Sequence, residues 1–309
     1  MERRTYPLRD GDLAAVHFGH TSNPLKLVFL HANGFDALAY RSVLEPLGVH
    51  AMAVDLRGHG RTALPAEPRR LKSWTTFRDD VLELFEHHIP RPVMLAGHSL
   101  GAVTGMLAAR RLGARITGYV GMDPPLPPPV WRVMTFVPGH RALVRRAFPL
   151  ARAAGKRRSV FPDRAAAWEH FHGRGAYRRF PDAVLRDFLE DGLLDSGEGV
   201  RLACAPAWES AIYTAWPRDA VRAVRHLPPF SRVVFAGINA PSTDGSRRAV
   251  ARALGPDRVM RLDECGHLFP LERPEIATAI LRDALQEVSL ALPGMARPQR
   301  RTAEPRPRR

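Results

Sequence analysis

Four short apolar runs, each ending at a glycine or a polar residue, constrain this chain more than any other feature of it. Residues 25–30 (LKLVFL) stop at His31, residues 51–54 (AMAV) at Asp55, residues 93–96 (VMLA) at Gly97, and residues 116–122 at Asp123. Runs of this length without polar alternation are what strands buried on both faces look like, and the stretches between them have glycine-rich turns and helical composition. The pattern predicts an α/β fold with a mostly parallel, doubly wound sheet. In such sheets ligands gather outside the carboxyl ends of the strands, so the chemistry is expected where the apolar runs stop.

The strand pattern breaks off at about residue 130 and returns near 231. Between these points the chain is helical in character and rich in Arg, Ala and aromatic residues. Further strand-like segments follow at 232–236 (RVVFA) and 258–262 (RVMRL), then a helix over about 274–290. This predicts a core in two parts, 1–129 and 231–292, with a helical cap at 130–230 and a disordered basic tail at 293–309. In the tail, Arg297, Arg300, Arg301, Arg306, Arg308 and Arg309 face a single Glu304 among prolines, which reads as a solvated segment.

The formal charge of +15 raises the question of a nucleic-acid partner. The excess is arginine spread along the whole chain, with Lys26, Lys72 and Lys156 the only lysines. That reads as compositional bias, and no nucleic-acid partner is expected. No apolar run approaches the length of a membrane span, and no apolar stretch follows the basic residues at the N-terminus, so a cytoplasmic location is expected. Neither Cys204 nor Cys265 belongs to a Cys-x-x-Cys pair or a His-rich ligand cluster. They read as packing residues, with no metal and no cofactor expected. Oligomeric state is not legible here.

Gly97-His98-Ser99-Leu100-Gly101 lies between an apolar strand and the helical stretch 100–112. A sharp strand-to-helix turn needs glycines where a Cβ would clash, and it can expose a serine hydroxyl held in a strained backbone conformation. A serine is a weak nucleophile until an imidazole takes its proton. Of thirteen histidines, His267 alone combines a preceding glycine, Gly266, with a position after the last strand.

Together these segments resemble the α/β-hydrolase superfamily over about residues 25–290. His31-Ala32-Asn33-Gly34-Phe35 resembles its oxyanion segment, although Ala32 stands where glycine is usual. Asp55-Leu56-Arg57-Gly58-His59-Gly60 resembles its Asp-x-Arg-Gly-x-Gly turn, which reads as structural. The resemblance implies a helical cap inserted after the sixth strand, Ser99 as nucleophile and His267 as general base. It places the oxyanion-hole amides on Asn33 and Leu100, with the Phe35 amide as a substitute. His31, His59 and His98 read as structural.

Two carboxylates compete for the third catalytic role. The position after the strand that follows the cap is the commoner one in the superfamily, but here it holds Gly237-Ile238-Asn239-Ala240, and the first acid beyond is Asp244. Asp123 ends the preceding strand beside Pro124 and Pro125, a second placement the superfamily uses. Asp123 is favoured and Asp244 is the alternative, because a fixed strand end orients an imidazole better than a flexible loop. Asp263 is expected on the outer side of its loop.

The leading reaction is carboxylic ester hydrolysis through an acyl-enzyme, with a small-molecule ester bearing an apolar part as substrate. Trp131, Trp168, Trp208, Trp216, Phe136, Phe171, Tyr177, Phe180 and Tyr213 fall in the cap and could line an apolar pocket or form its core. Thioester, lactone or carbon–carbon bond hydrolysis would use the same parts. A ligand-binding or receptor-like protein that keeps the fold is the alternative outside enzymes.

Overall fold

The computed structural model describes residues 1–126, 144, 146, 148–217 and 219–292. Trp131, Phe136, the start of the expected cap and the basic tail lie outside the described residues. In chain order the strands are β1 (Glu2–Leu8), β2 (Gly11–Phe18), β3 (Leu27–Leu30), β4 (Ala51–Val54), β5 (Val93–His98), β6 (Ile116–Met122), β7 (Val160–Phe161), β8 (Leu193–Asp195), β9 (Val200–Leu202), β10 (Phe230–Ile238) and β11 (Val259–Gly266). The helices of seven residues or more are α1 (Thr75–His88), α2 (Leu100–Leu112), α3 (Pro149–Gly155), α4 (Arg164–Phe171), α5 (Asp182–Asp191), α6 (Pro206–Ile212), α7 (Asp244–Leu254) and α8 (Pro274–Ala291).

Eight strands form one sheet in the order β1-β2-β4-β3-β5-β6-β10-β11. From β4 to β11 all neighbours are parallel, and β2 joins β4 antiparallel. This is the mostly parallel, doubly wound sheet that the apolar runs predict. The chain leaves β3 for β4 on one side, then crosses back to β5 on the other. The winding therefore reverses between β3 and β5, where the turns carrying Asn33 and Ser99 emerge together.

Alternate residues of the parallel strands feed two cores. Val28, Leu30 and Leu95 pack with Phe77, Val81 and Phe85 of α1 and Val103 and Met106 of α2. Leu27, Phe29, Met94 and Ala96 pack on the other face with Ala277, Ile280 and Leu281 of α8. Each fully buried Leu or Phe stabilises the fold by roughly 2 kcal/mol, which is why these strands show no polar alternation.

Two regions differ from expectation. The first eighteen residues form the β1–β2 hairpin, hidden in the sequence because β1 keeps most of its side chains exposed. The excursion between β6 and β10 is not purely helical: β7, β9 and β8 form a small antiparallel sheet beside α3 to α6. Strands of two or three residues are too short for a period to register. Among the described residues no helix is long and apolar enough to cross a membrane.

Candidate active site

Ser99 sits between β5 and α2 with φ 53°, a left-handed conformation that few side chains adopt. Glycine neighbours make the turn possible. A Cβ on Gly97 would lie 2.5 Å from the carbonyl carbon of Gly101, and one on Gly101 would strike the Leu30 carbonyl. Close approach lets the Gly101 N–H donate to the His31 carbonyl at 3.1 Å, which ties the start of α2 to the end of β3.

His267 follows β11 directly and lies between Ser99 and Asp123. Its Nε2 is 3.0 Å from Ser99 Oγ, and its Nδ1 is 2.6 Å from Asp123 Oδ2. A carboxylate can only accept, so Nδ1 carries the proton and Nε2 is left to accept the serine hydroxyl. Asp123 is fully buried with φ 42°. The end of β10 fixes it twice: its N–H donates to the Val234 carbonyl at 2.7 Å, and its Oδ1 accepts the Ala236 N–H at 3.0 Å. Asp244 is elsewhere, two-thirds exposed in the first turn of α7 and paired with Arg247. Asp263 is exposed and paired with Arg261.

Leu100 opens α2, so its N–H has no acceptor within the helix. In the turn after β3, the Ala32 N–H donates to Tyr40 Oη at 3.2 Å, the Gly34 N–H to His59 Nε2 at 3.1 Å, and the Phe35 N–H to the Ala32 carbonyl at 3.2 Å. Phe35 is thereby removed as the substitute donor, because closing the turn consumes its amide. Among the described residues the Asn33 N–H has no such partner.

Several residues in this layer do more than their sequence positions indicate. His98, fully buried, donates from Nε2 to the His267 carbonyl at 2.8 Å, and its Nδ1 accepts from Tyr40 Oη at 2.7 Å. With the Ala32 N–H bonded to the same hydroxyl, a chain of three hydrogen bonds joins the turn after β3 to the backbone of His267. Burial, with His267 close by, holds His98 well below the ordinary histidine range. His31 accepts the Leu56 N–H and donates to the Ala32 carbonyl, and burial likewise keeps it low. Burial lowers His59 to about 4. All three are neutral spacers that hold loops. Arg57 of the adjacent turn pairs in a fork with Asp80 of α1 and also reaches Asp10, so its charged partners are distant in sequence.

A cavity of about 850 Å³ opens onto Ser99, Leu100, Ala32, Asn33 and His267. Phe171, Tyr177, Tyr213 and Trp216 line it, together with Trp74 and Phe35 from the core. Trp208 and Phe180 are packed in the cores instead. Among the polar residues on this mostly apolar wall, one buried ion pair stands out. Arg157 Nη1 donates to Glu209 Oε2 at 2.9 Å, and its Nη2 to Tyr177 Oη at 2.9 Å. Asn33 Nδ2 donates to the Glu209 carbonyl at 3.2 Å, which sets this pair against the turn after β3. Nothing in the sequence signals it, because Arg157 and Glu209 are 52 residues apart among many arginines.

A model of the Alpha/beta hydrolase family matches residues 27–279, and the chain belongs to that family. Over 119 residues it is 33% identical to protein phosphatase methylesterase 1 of Mus musculus, a match covering 36% of this chain and 30% of that protein. The Homo sapiens protein of the same name is 32% identical over 119 residues, with the same two coverages. The matched segment is thus under a third of these relatives' length. The fold is shared with E-2-(acetamidomethylene)succinate hydrolase at a TM-score of 0.71 and 21% identity, covering 92% of this chain and 100% of that one. A thioesterase domain from the curacin biosynthetic pathway superposes at 0.69 with 19% identity, covering 93% and 99%. The enol-lactonase from Burkholderia xenovorans LB400 superposes at 0.64 with 18% identity, covering 92% and 100%.

Proposed function

We propose that this α/β-hydrolase family member is a serine hydrolase that cleaves carboxylic esters through an acyl-enzyme on Ser99. One observation carries the reading: Ser99 Oγ, His267 and Asp123 lie in hydrogen-bonded series, at 3.0 and 2.6 Å, with Ser99 and His267 lining a cavity. His267 Nε2 takes the hydroxyl proton as Oγ bonds to the ester carbon, and the carbonyl electron pair moves onto oxygen. The Leu100 and Asn33 amides receive that negative charge, while Asp123 stabilises the imidazolium. His267 then passes its proton to the alkoxy oxygen as the carbon–oxygen bond breaks and alcohol departs. A water attacks the acyl carbon and gives one proton to His267, which returns it to Ser99 as the acid leaves.

The partial identity to relatives named methylesterase supports an ester over a carbon–carbon bond. The excursion between β6 and β10 acts as the cap over this site in the same reading. The free, buried thiols of Cys204 and Cys265 fit a reducing compartment such as the cytoplasm.

The test is labelling by a fluorophosphonate, followed by turnover on aryl esters, thioesters and lactones of graded acyl length. Labelling of the native chain and not of Ser99→Ala is expected, with esters turned over fastest. An unlabelled serine would favour a ligand-binding protein that retains the fold.

A further inference from the structure

We infer that the substrate carries an anionic oxyacid group, carboxylate or phosphate, that seats on Arg157 beside the turn of Asn33 and Gly34. This rests on the serine-hydrolase reading above and adds a substrate class to it.

A buried ion pair is a poor way to stabilise a fold, because desolvation offsets most of the attraction. In an apolar cavity, the few polar groups on the wall are the ones that orient and select a ligand. Both Arg157 and Glu209 line the cavity, but the side chain of Arg157 is 20% exposed and that of Glu209 5%, so Arg157 is the more accessible member of the pair. Its guanidinium has five N–H donors in a planar fork. Among the described residues Glu209 and Tyr177 accept two of them, and the others are available to a planar or tetrahedral oxyanion.

Charge points the same way. Arg157, Arg158 and Arg174 line the cavity against one carboxylate, Glu209, an excess of positive charge on a mostly apolar wall. His170, which also lines the cavity, registers their convergence: after burial, the charges of Arg158, Arg174 and Arg157 keep it below its ordinary range. The turn after β3 packs closely on this pair. A Cβ on Gly34 would stand 2.9 Å from Glu209 Oε1 and 3.5 Å from Arg157 Nη1, so the turn bearing the Asn33 amide runs directly past the pair. An anion held there shares the cavity wall with the turn that carries the Asn33 amide. The aromatic residues Phe171, Tyr177 and Trp216 take the apolar body.

The experiment compares p-nitrophenyl esters of matched chain length that end in a carboxylate, a phosphate or a neutral carboxamide. At neutral pH and low salt, one of the charged esters is expected to exceed the carboxamide in kcat/KM by about tenfold or more, the value of one charge-assisted hydrogen bond. The larger of the two charged ratios names the oxyacid. Arg157→Gln should bring that ratio close to one. Because it also strands Glu209, the exposed Arg174→Glu provides a second variant, expected to cut the ratio about threefold through loss of field alone. A ratio at or below one, with the carboxamide turned over and Ser99 labelled, overturns the anion site and leaves the hydrolase standing. Absence of both turnover and labelling overturns the two together.

Discussion

The turns after β6 and β10 stand side by side in the sheet, and each was a candidate to supply the acid, yet only one delivers a carboxylate to His267. Asp123 follows β6 directly, so two hydrogen bonds to β10 lock its backbone and its side chain before the imidazole arrives. After β10 the equivalent place is taken by Asn239, which has φ 50° and lines the cavity. The first acid beyond it has become part of helix α7, where Thr243 caps the end and Asp244 meets Arg247. Rigidity at the strand end, and not nearness in sequence to the histidine, distinguishes the two.

The largest effect should come from exchanging these acids separately. Asp123→Asn is expected to lower kcat on an activated ester by roughly 10³ to 10⁴, because the imidazole loses its tautomer and its counter-charge. Asp244→Asn should leave kcat within about twofold and cost at most about 0.5 kcal/mol of stability from the helix end. Equal losses in both would remove Asp123 from the proposed role.

A second break acts on the scaffold behind the imidazole. Tyr40→Phe deletes the hydroxyl between the Ala32 N–H and His98 Nδ1, leaving two buried groups unpaired at a cost of about 1–3 kcal/mol. Since that chain ends on the His267 carbonyl, kcat should fall by about tenfold while circular dichroism stays native. Wild-type kcat in this variant would reduce the chain to packing.

The effect that is smallest on turnover and most diffuse in origin is on acid stability. His59 is held at about 4 against an ordinary 6.5, and His31 and His98 are lowered in the same direction. As pH falls below 6.5 the unfolded chain takes up these protons and the folded one does not. For His59, stability that is fully present above pH 6.5 is therefore lost down to about pH 4, at about 1.4 kcal/mol per pH unit, and His31 and His98 add losses of the same sign. Urea midpoints at pH 7, 6 and 5 would measure the slope. A flat profile would mean that other buried groups compensate. Asp36 and Asp55 are candidates, since burial raises both above the carboxylate range and gives them the opposite sign.

What could be read in the sequence was local. The runs at 51–54 and 116–122 coincide with β4 and β6, and the stretch 100–112 with α2, because burial on both faces leaves a continuous apolar signature. Ser99 and His267 could be picked out since each lies in a glycine-flanked turn at a strand end. The pairing of His267 with Asp123 spans 144 residues and depends on which strand ends become neighbours, so the residues alone left it open. Tyr40 and His98 are 58 apart, and neither bears a motif of its own. The β1–β2 hairpin escaped for the opposite reason: an edge strand that faces solvent has little apolar pattern to show.

Ser99, Asp123 and Asn239 are the non-glycine residues with positive φ among those described, and all three follow β5, β6 or β10. Glycine would be more comfortable at each. Selection of variants by heat survival alone would therefore drift towards replacing these side chains, gaining melting temperature as it erased the proposed nucleophile and its proposed acid. The same turns that make the fold useful are where it is least at ease, so engineering this protein for robustness calls for screening turnover at every round.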